Sequence, residues 1–279
     1  MNLCNDYTGA KQLILVASTQ DLASMTMTNY LLQHQSFRSD ENKAFYSSSS
    51  HPNVRIYISH KSTLYMEFLD EIFPDAKAFV FLSQHRSQSR TKALTCHFPG
   101  NFGLNQFGGN FRELSIAYPS LQKYYMKRLI AQKEMVADYQ IVLESSHHGP
   151  TSLTKPPLFI EIGSTEIEWT DENACSIVCE AILKVADCDT IHCDKVAICL
   201  GGTHYSTKFS KLLMDSEYGI AAVAAKHDLK LIDKEMLDQM ILKSVEKVGT
   251  LILDWKGLGR EKERIMALAA DTGLEIIRL

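Results

Sequence analysis

The chain has 279 residues, of which 45% are hydrophobic and 22% are charged, and this composition excludes a disordered, collagen-like or coiled-coil protein. Its net charge of −4 disfavours a protein that coats DNA or RNA along its length, although a site for one strand end needs few phosphate contacts. No apolar run reaches the ~20 residues of a membrane helix, and no signal peptide is recognisable. The seven cysteines fit a reducing compartment. Together with the net charge, these features lead us to expect a cytoplasmic protein without DNA or membrane partners.

In the first half of the chain, short β-rich runs alternate with amphipathic stretches. Apolar runs and alternating patterns predict strands over 13–17, 54–59, 78–83 and 93–97. A helix is predicted over 21–34, with Ser18, Thr19 or Asp21 as its cap. The polar stretch 37–53 indicates an exposed loop, and residues 100–109 hold four glycines, which excludes regular structure there.

The second half repeats this alternation. Helices are predicted over 121–137, 171–185, 207–214, 234–245 and 261–270, and strands over 139–144, 158–162, 195–200, 220–224, 250–254 and 275–278. Strands that alternate with helices of this length indicate a mostly parallel sheet covered by helices. The predicted fold is therefore α/β, with a three-layer α/β/α core and a mixed, mostly parallel sheet, and residues 1–279 are expected to form one compact domain.

Polar and titratable side chains collect where the predicted strands end. Five strand ends carry such residues: Ser83, His85 and Arg86; His97; Glu144, His147 and His148; Glu161, Gly163, Ser164 and Trp169; and Gly201, Gly202, His204 and Tyr205. Any one of these is more often a plain loop residue. Because ligands bind at the carboxyl ends of parallel strands, their joint occurrence predicts a functional site on one rim of the sheet.

Three details of this pattern leave alternatives open. His147 and His148 are a weak chelating pair, because adjacent side chains of an extended segment point to opposite faces. Gly201 and Gly202 form either a tight turn or a nest of backbone N–H groups for an oxyanion or a phosphate. A zinc knuckle around residues 188–193 lacks the paired C-x-x-C spacing, so scattered thiols are the preferred interpretation.

Four strings at these strand ends resemble one family. They are FLSQHRSQSRTKALTCHFPGN (81–101), FGGNFRELSIAYPS (107–120), ESSHHGPTSLTKPPLFIEIGSTEIEW (144–169) and GGTHY (201–205). In this order, over about residues 13–257, they resemble the D-aminoacyl-tRNA deacylases of the archaeal and plant type. The resemblance implies hydrolysis of the ester between a D-amino acid and the 3′-terminal adenosine of tRNA. It also implies a phosphorylase/hydrolase-like α/β/α core, an association with Zn²⁺ and the tRNA acceptor end as partner.

One stretch departs from the family pattern. The family carries Gly-His and then Lys-Tyr late in the chain, whereas this chain has Gly219 and Ile220, with Ala222 further on, and then Lys226-His227. A histidine is therefore missing, and any role it has in the family must be absent here or filled by a neighbour.

The chemistry of ester hydrolysis assigns roles to the clustered residues. We expect His97, His148, Glu161 and His204 to approach a common point as metal ligands or as acid and base, with His85 and Glu144 as further catalytic candidates. The backbone of Gly163-Ser164 or Gly201-Gly202 would supply oxyanion donors. We expect Arg86, Arg90 and Lys155 to contact phosphates of the tRNA. We expect Trp169, Tyr205 or Phe98 to stack on its terminal bases. Trp169 is equally expected as a packing anchor.

Two rival functions remain at this point. One is a metal-dependent peptidase or amidohydrolase on a similar core, and the other is a non-catalytic protein that binds an RNA end. The density of titratable groups favours an enzyme over a binding protein.

Under the deacylase interpretation, the α-ammonium group of a D-amino acid would be held by Glu161, Glu166 or Glu168. The expected oligomeric state is a monomer.

Overall fold

The computed structural model describes residues 12–40, 44–188 and 190–279, which contain two β-sheets and eight α-helices. The larger sheet has the strand order β2-β3-β4-β1-β5-β8-β6-β7. Its strands are β1 Gln12–Ser18, β2 Phe37–Ser39, β3 Phe45–Ser48, β4 Val54–Ser59, β5 Ala76–Arg86, β6 Ala93–His97, β7 Gln140–Leu143 and β8 Pro157–Ser164.

The smaller sheet has four parallel strands in the order β10-β9-β11-β12. Its strands are β9 Lys195–Leu200, β10 Tyr218–Ala224, β11 Thr250–Leu253 and β12 Glu275–Arg278. The helices are α1 Leu22–His34, α2 Leu69–Ile72, α3 Pro119–Ile130, α4 Glu166–Trp169, α5 Glu172–Ala186, α6 Thr207–Asp215, α7 Lys234–Leu242 and α8 Lys262–Ala270. None of the helices in the described segments has the length and apolar character needed to cross a bilayer.

The predicted α/β class with a mixed, mostly parallel sheet is confirmed. Seven of the ten strand pairings in the described segments are parallel, and the antiparallel ones are β2 with β3, β3 with β4, and β6 with β8. The N-cap of α1 is Asp21, whose carboxylate accepts a hydrogen bond from the Ser24 N–H at 2.8 Å. That bond satisfies one of the four N–H groups left free at a helix N-terminus.

Two of the differences from the predicted elements have a clear physical reason. The stretch 37–53 contains the edge strand β2 and its neighbour β3, which are short and largely exposed, so their polar residues resemble those of a loop. Helix α3 ends at Ile130 instead of residue 137. Beyond its end, Lys133 folds back and its amine donates to the carbonyls of Val136 and Ala137, which holds a separate short turn.

Both faces of the larger sheet are covered. On one face, Leu158, Ile160 and Ile162 of β8 enter the main core, to which α1, α3 and α5 also contribute. On the other face, Phe159 joins a smaller core that includes Leu69 of α2. Each fully buried apolar side chain of this size contributes about 1.5–3 kcal/mol to folding.

The two sheets meet through the segment that follows β7. The Ser145 N–H donates to the His204 carbonyl at 2.9 Å, and the Ser146 N–H donates to the carbonyl of Val223 in β10 at 2.9 Å. Glu144 also forms an isolated antiparallel bridge with Tyr205. These pairings place the segment after β9, which includes His204, directly beside the end of β7.

Candidate active site

The alternation of side chains along the strands gathers the polar residues on one face of the larger sheet. Glu161 of β8 follows Phe159 on the face opposite the main core, and the β-pairing register places it beside Thr95 of β6 and Ser83 of β5. His85 and His97 lie two residues beyond these neighbours, on the same face. A charged residue within an otherwise apolar buried strand is the sequence signal for Glu161.

The predicted meeting point on one rim is wrong. His85 and Glu161 lie inside β5 and β8 instead of after them. Strand β5 runs parallel to β8 and strand β6 runs antiparallel to it. The carboxyl ends of β5 and β6 therefore lie at opposite rims of the sheet. The side chains therefore converge across the face of the sheet, because the long strand β5 carries His85 beyond the expected strand end.

His85 bridges two buried carboxylates. Its Nδ1 lies 3.2 Å from Glu144 Oε1 and 3.3 Å from Glu161 Oε2, and its Nε2 lies 2.9 Å from the Tyr205 hydroxyl. Burial lowers the pKa of His85, but the hydrogen bonds to both carboxylates outweigh burial and raise this pKa to about 10. At neutral pH, His85 is therefore an imidazolium held between two glutamates.

The pKa values of the two glutamates are shifted in opposite directions. Burial raises the pKa of Glu161 to about 7. For Glu144, burial also favours the neutral acid, but hydrogen bonds from His204 and His85 hold its pKa well below the usual range. A buried pair of carboxyl groups with separated pKa values supplies one ionised carboxylate and one group that carries a proton near pH 7.

Ser145 orients His204, and the sequence did not single out Ser145. Its hydroxyl lies 2.8 Å from His204 Nδ1, and His204 Nε2 lies 2.8 Å from Glu144 Oε2. Ser145 is only 1% exposed, so its hydroxyl positions the imidazole and does not face solvent. Its place directly after Glu144 was the available signal, but a serine in a polar segment carries little information by itself.

Three further histidines lie beside this group. The Nδ1 atoms of His147 and His148 lie 2.8 Å from the Ser145 carbonyl and 2.7 Å from the Gly149 carbonyl. A carbonyl oxygen only accepts, so both Nδ1 atoms carry hydrogen and both Nε2 atoms offer a lone pair. His148 Nε2 lies 3.1 Å from His97 Nε2. Burial lowers the pKa of His147 to about 4 and those of His97 and His148 well below 6.5, so all three are neutral at pH 7.

The interpretation of His147 and His148 as a weak chelating pair is wrong. Their ligand atoms lie within 4.8 Å of each other and of His97. His148 has a left-handed backbone with φ of 49°, which breaks the alternation that separates neighbouring side chains in an extended segment. Sequence alone does not reveal such a turn at a non-glycine residue.

Three overlapping groups of side chains in the described segments have the spacing of metal ligands. Within each group, the ligand atoms all lie within 4.8 Å of one another: His97, His147 and His148; Glu144, His147 and His204; and His85, Glu144 and Glu161. None of these groups unites all four ligands expected from the sequence, because Glu161 falls in a different group from His97 and His148.

The first two groups fit a metal ion. His147 and His148 donate Nδ1–H to backbone carbonyls, which is how metal-binding histidines are usually oriented. His97 differs from them, because its buried Nδ1 has no hydrogen-bond partner among the described residues, while its Nε2 lies 3.1 Å from His148 Nε2. The third group fits less well, because both nitrogens of its one imidazole are engaged: His85 Nδ1 lies between the two carboxylates and its Nε2 lies 2.9 Å from the Tyr205 hydroxyl. The second group still has the Nε2 lone pair of His147 to offer.

A cavity of about 330 Å³ opens over this cluster. Its buried lining includes His85, Glu144 and Glu161, and its exposed lining includes Arg86 and Phe107. The remaining lining residues are Ser18, Gln20, Asp21, Ser62, Thr63, Leu64, Ser83, Gln84, His147, His148 and His204. Fully buried His97 is not part of the lining, so it acts on the cavity only through His148 or a bound ion.

The residues expected to bind substrate fall into two places. Arg86 lines the cavity, and its guanidinium carbon lies 4.8 Å from the centre of the Trp169 ring. Trp169 Nε1 donates to the His85 carbonyl at 3.0 Å, which is the packing role considered from sequence. A second groove of about 580 Å³ runs from Arg86 over Arg90 and Ser164 to Trp169 and Glu166.

Gly201 and Gly202 lie outside the cavity lining. Both have positive φ values, 99° and 78°, and they pack against Asp254. The Gly201 N–H donates to the Ala224 carbonyl at 2.9 Å. This arrangement is that of a tight turn between the sheets.

The stretch that departs from the family pattern lies in β10. Ala222 is buried there, and the next residue, Val223, accepts a hydrogen bond from Ser146. The missing histidine therefore concerns a position beside the segment that carries Glu144 and His147. The following His227 is exposed and lies 3.2 Å from Asp228.

Gly163 permits the close approach of β8 to β5. A Cβ atom at this position would lie 2.3 Å from the His85 carbonyl oxygen and 2.6 Å from the His85 Cβ. Gly163→Ala should therefore displace His85 and lower the free energy of unfolding by about 1–3 kcal/mol in urea titrations. Gly249→Ala is the control, since nothing lies within 4 Å of its added Cβ. Equal stability of the two variants would contradict the prediction.

The buried neutral histidines make the metal-free chain sensitive to acid. A histidine whose pKa is lowered by folding stabilises the folded chain above its unfolded pKa of about 6.5, and this contribution is lost as pH falls. Fully buried His97 alone should cost about 1.4 kcal/mol per pH unit, and half-buried His147 and His148 should cost less. Glu161, whose pKa is raised to about 7, offsets part of this loss.

The check is urea unfolding with chelator at pH 7.0 and 5.5, for the wild-type chain and for His97→Gln. We expect lower stability at pH 5.5 and a smaller pH effect in the variant. Stability that rises on acidification would contradict the assignment of neutral buried histidines.

The chain is similar to known proteins over most of its length. The family model described as D-aminoacyl-tRNA deacylase matches residues 72–277, which contain all the cluster residues named above. D-aminoacyl-tRNA deacylase of Cenarchaeum symbiosum is 40% identical over 199 residues, covering 71% of this chain and 76% of the relative. The enzyme of the same name from Thermococcus onnurineus is 33% identical over 278 residues, covering 95% of this chain and 99% of the relative.

The fold also has a solved counterpart. A crystal structure described as a conserved protein of unknown function superposes with a TM-score of 0.88 at 27% identity, covering 96% of this chain and 95% of that one. The resemblance seen in the sequence is thus confirmed by the family match and by relatives that span nearly the whole chain. The chain belongs to the D-aminoacyl-tRNA deacylase family.

Proposed function

We propose that this protein hydrolyses the ester between a D-amino acid and the 3′-terminal adenosine of tRNA, releasing the D-amino acid and free tRNA. The reaction would recycle tRNA that carries the wrong enantiomer. Family membership supports the substrate class. The observation that carries the proposal is the group of five histidines and two buried glutamates at one cavity, in which the two carboxyl groups have separated pKa values.

Because their pKa values differ, one glutamate can act as general base and the other as general acid. Glu144, ionised at neutral pH, accepts a proton from the attacking water, while His204 and His85 hold the carboxylate in place. The hydroxide adds to the ester carbonyl. When the carbon–oxygen bond to the ribose breaks, protonated Glu161 gives its proton to the leaving 3′ oxygen. Both carboxyl groups line the cavity, as these roles require.

We propose Zn²⁺ as the metal ion of this site. Zinc prefers imidazole nitrogen and carboxylate oxygen, which are the donors of the two fitting groups. His97 with His147 and His148 would hold the ion and leave Glu144 free to act as the base, so we propose this group as the ligand set. In the other group, Glu144 with His147 and His204, Glu144 would bind the ion and could not also take the proton. When bound, zinc supplies a Lewis acid that polarises a carbonyl and lowers the pKa of water. His147, which belongs to both groups, is the ligand most sensitive to substitution in this proposal.

We propose that the chain acts as a monomer in the cytoplasm on the tRNA acceptor end. One chain supplies every cluster residue, which supports a monomer. His204 follows a strand of the smaller sheet and Glu161 lies within the larger sheet, and their meeting at one cluster supports a single functional unit. Arg86 and Arg90 line the groove beside the cavity and would neutralise phosphates of the terminal nucleotides.

The test is the release of tyrosine from matched D-tyrosyl-tRNA and L-tyrosyl-tRNA, with and without chelator. We expect fast, D-selective release that chelation abolishes. A peptidase would instead hydrolyse peptides without any salt-sensitive affinity for tRNA, and an RNA-end binding protein would leave both esters intact. D-selective release that survives chelation would retain the function and remove zinc from it.

A further inference from the structure

The glycine-rich loop 100–112 exposes three large apolar side chains. Leu104, Phe107 and Phe111 are 72%, 63% and 59% exposed. Of these, Phe107 alone lines the cavity that contains Glu144 and Glu161. Phe107 thus presents an exposed aromatic ring to the same cavity, where a ligand bound to the cluster can cover it.

The backbone around Phe107 is held rigidly. The Gly149 N–H donates to the Phe107 carbonyl at 3.0 Å, which joins the loop to the segment that carries His148. The Asn101 side-chain amide donates to the carbonyls of Gly108 and Asn110 at 2.9 and 3.1 Å. A side chain presented by such a fixed backbone loses little conformational freedom when a ligand binds.

Gly108 packs the loop closely against Leu64. It has a φ of 77°, and a Cβ atom there would lie 2.0 Å from the Leu64 carbonyl oxygen. Leu64 itself lines the cavity. The backbone at Phe107 is thus held by the hydrogen bond from Gly149 and by the packing of the neighbouring Gly108 against Leu64.

The aromatic residues expected from sequence to stack on bases are engaged elsewhere. The Tyr205 hydroxyl is bound to His85 Nε2, and Trp169 donates to the His85 carbonyl and lies against Arg86. Phe98 is buried in the main core. Apart from the histidines, Phe107 is the one aromatic residue among the described residues that line the cavity.

We propose that Phe107 stacks on the base of the 3′-terminal adenosine of tRNA. This inference rests on the proposed function. The ester is attached to the ribose of that adenosine, so a carbonyl placed between Glu144 and Glu161 brings the base within one ribose of the cluster, inside the same cavity. The terminal base of a single strand is unpaired and offers its face to an aromatic ring. Arg86 lines the cavity as well and faces the negative charge of the adjoining phosphate.

The test is steady-state hydrolysis of D-tyrosyl-tRNA and D-alanyl-tRNA by Phe107→Ala, Phe107→Trp and Phe111→Ala. Loss of one base–aromatic stack should raise KM about tenfold for both substrates in Phe107→Ala, with little change in kcat. Phe107→Trp should keep the wild-type KM. Phe111→Ala is the matched control, because Phe111 is similarly exposed in the same loop but does not line the cavity.

A binding measurement provides a readout that is independent of hydrolysis. Uncharged tRNA with 2-aminopurine as its last base should lose fluorescence on binding the wild-type chain, and less so on binding Phe107→Ala. An unchanged KM and unchanged quenching in Phe107→Ala would overturn the inference. So would a KM change seen with D-tyrosyl-tRNA but not D-alanyl-tRNA, which would place the amino-acid side chain against the ring. Failure of the wild-type chain to release either D-amino acid would instead reject the proposed function.

Discussion

Glu144→Gln is expected to lower the hydrolysis of D-tyrosyl-tRNA by a factor of about 10²–10⁴, the usual contribution of a general acid or base. The glutamine keeps the size of the side chain but cannot take a proton from water. Its amide also places a donor where the carboxylate accepts a hydrogen bond from His204 and pairs with His85. The measurement is single-turnover release of D-tyrosine with enzyme in excess.

The control for this variant is Glu172→Gln, which changes the same residue type at an exposed position at the start of α5. Its rate should equal that of the wild-type chain. Because Glu144→Gln leaves the His85 imidazolium with one carboxylate, the melting temperature of each variant must be measured alongside the rate. A folded Glu144→Gln chain with a rate within threefold of wild type would refute the role of Glu144 as base.

His147→Asn is expected to remove both the metal and the activity. His147 belongs to both ligand groups that fit a metal ion, so one substitution weakens both. Loss of a hydrogen-bonding partner of a ligand typically costs 10–100-fold in metal affinity, and loss of the ligand itself should cost more than about 100-fold. The measurement is zinc per chain by atomic emission after dialysis, followed by the deacylation rate.

The matched control is His192→Asn, which replaces an exposed histidine outside the cluster. It should retain the zinc content and the rate of the wild-type chain. Full zinc occupancy in His147→Asn would show that the ion binds elsewhere. A wild-type chain that binds no zinc would leave the two glutamates and the histidines as the whole hydrolytic apparatus.

The sequence predicted most of the fold because the dominant signals are local. Central strands such as β1 and β9 are continuous apolar runs, and α1 and α5 begin at aspartate caps, so both element types follow from nearby residues. Strands β2 and β3 were missed because they are three and four residues long and bury little of their surface. The division into two sheets depends on which strands pair, and composition does not encode that pairing.

The sequence identified most cluster residues but not their arrangement. His85, His97, Glu144, Glu161 and His204 are titratable residues within or directly after apolar strands, and that signal is visible without a structure. Their grouping depends on the antiparallel direction of β6 and on the left-handed backbone at His148, which are tertiary properties.

Two residues escaped prediction because they lack a chemical signature. Ser145 becomes informative only when its hydroxyl is seen against His204, and Phe107 only when its ring is seen in the cavity lining. Gly201 and Gly202 were compatible with a tight turn or with a nest of backbone N–H groups, and the tertiary structure uses them in a turn against Asp254.

The most direct test of the account is a structure of the chain bound to a non-hydrolysable analogue, adenosine with D-tyrosine joined to its 3′ position through an amide. The account predicts the amide carbonyl between Glu144 and Glu161, each carboxyl group being about 3 Å from it or separated from it by one water molecule. It also predicts the adenine against Phe107. An analogue bound in the groove over Trp169, with the histidine and glutamate cluster unengaged, would contradict the assignment of that cluster as the hydrolytic centre.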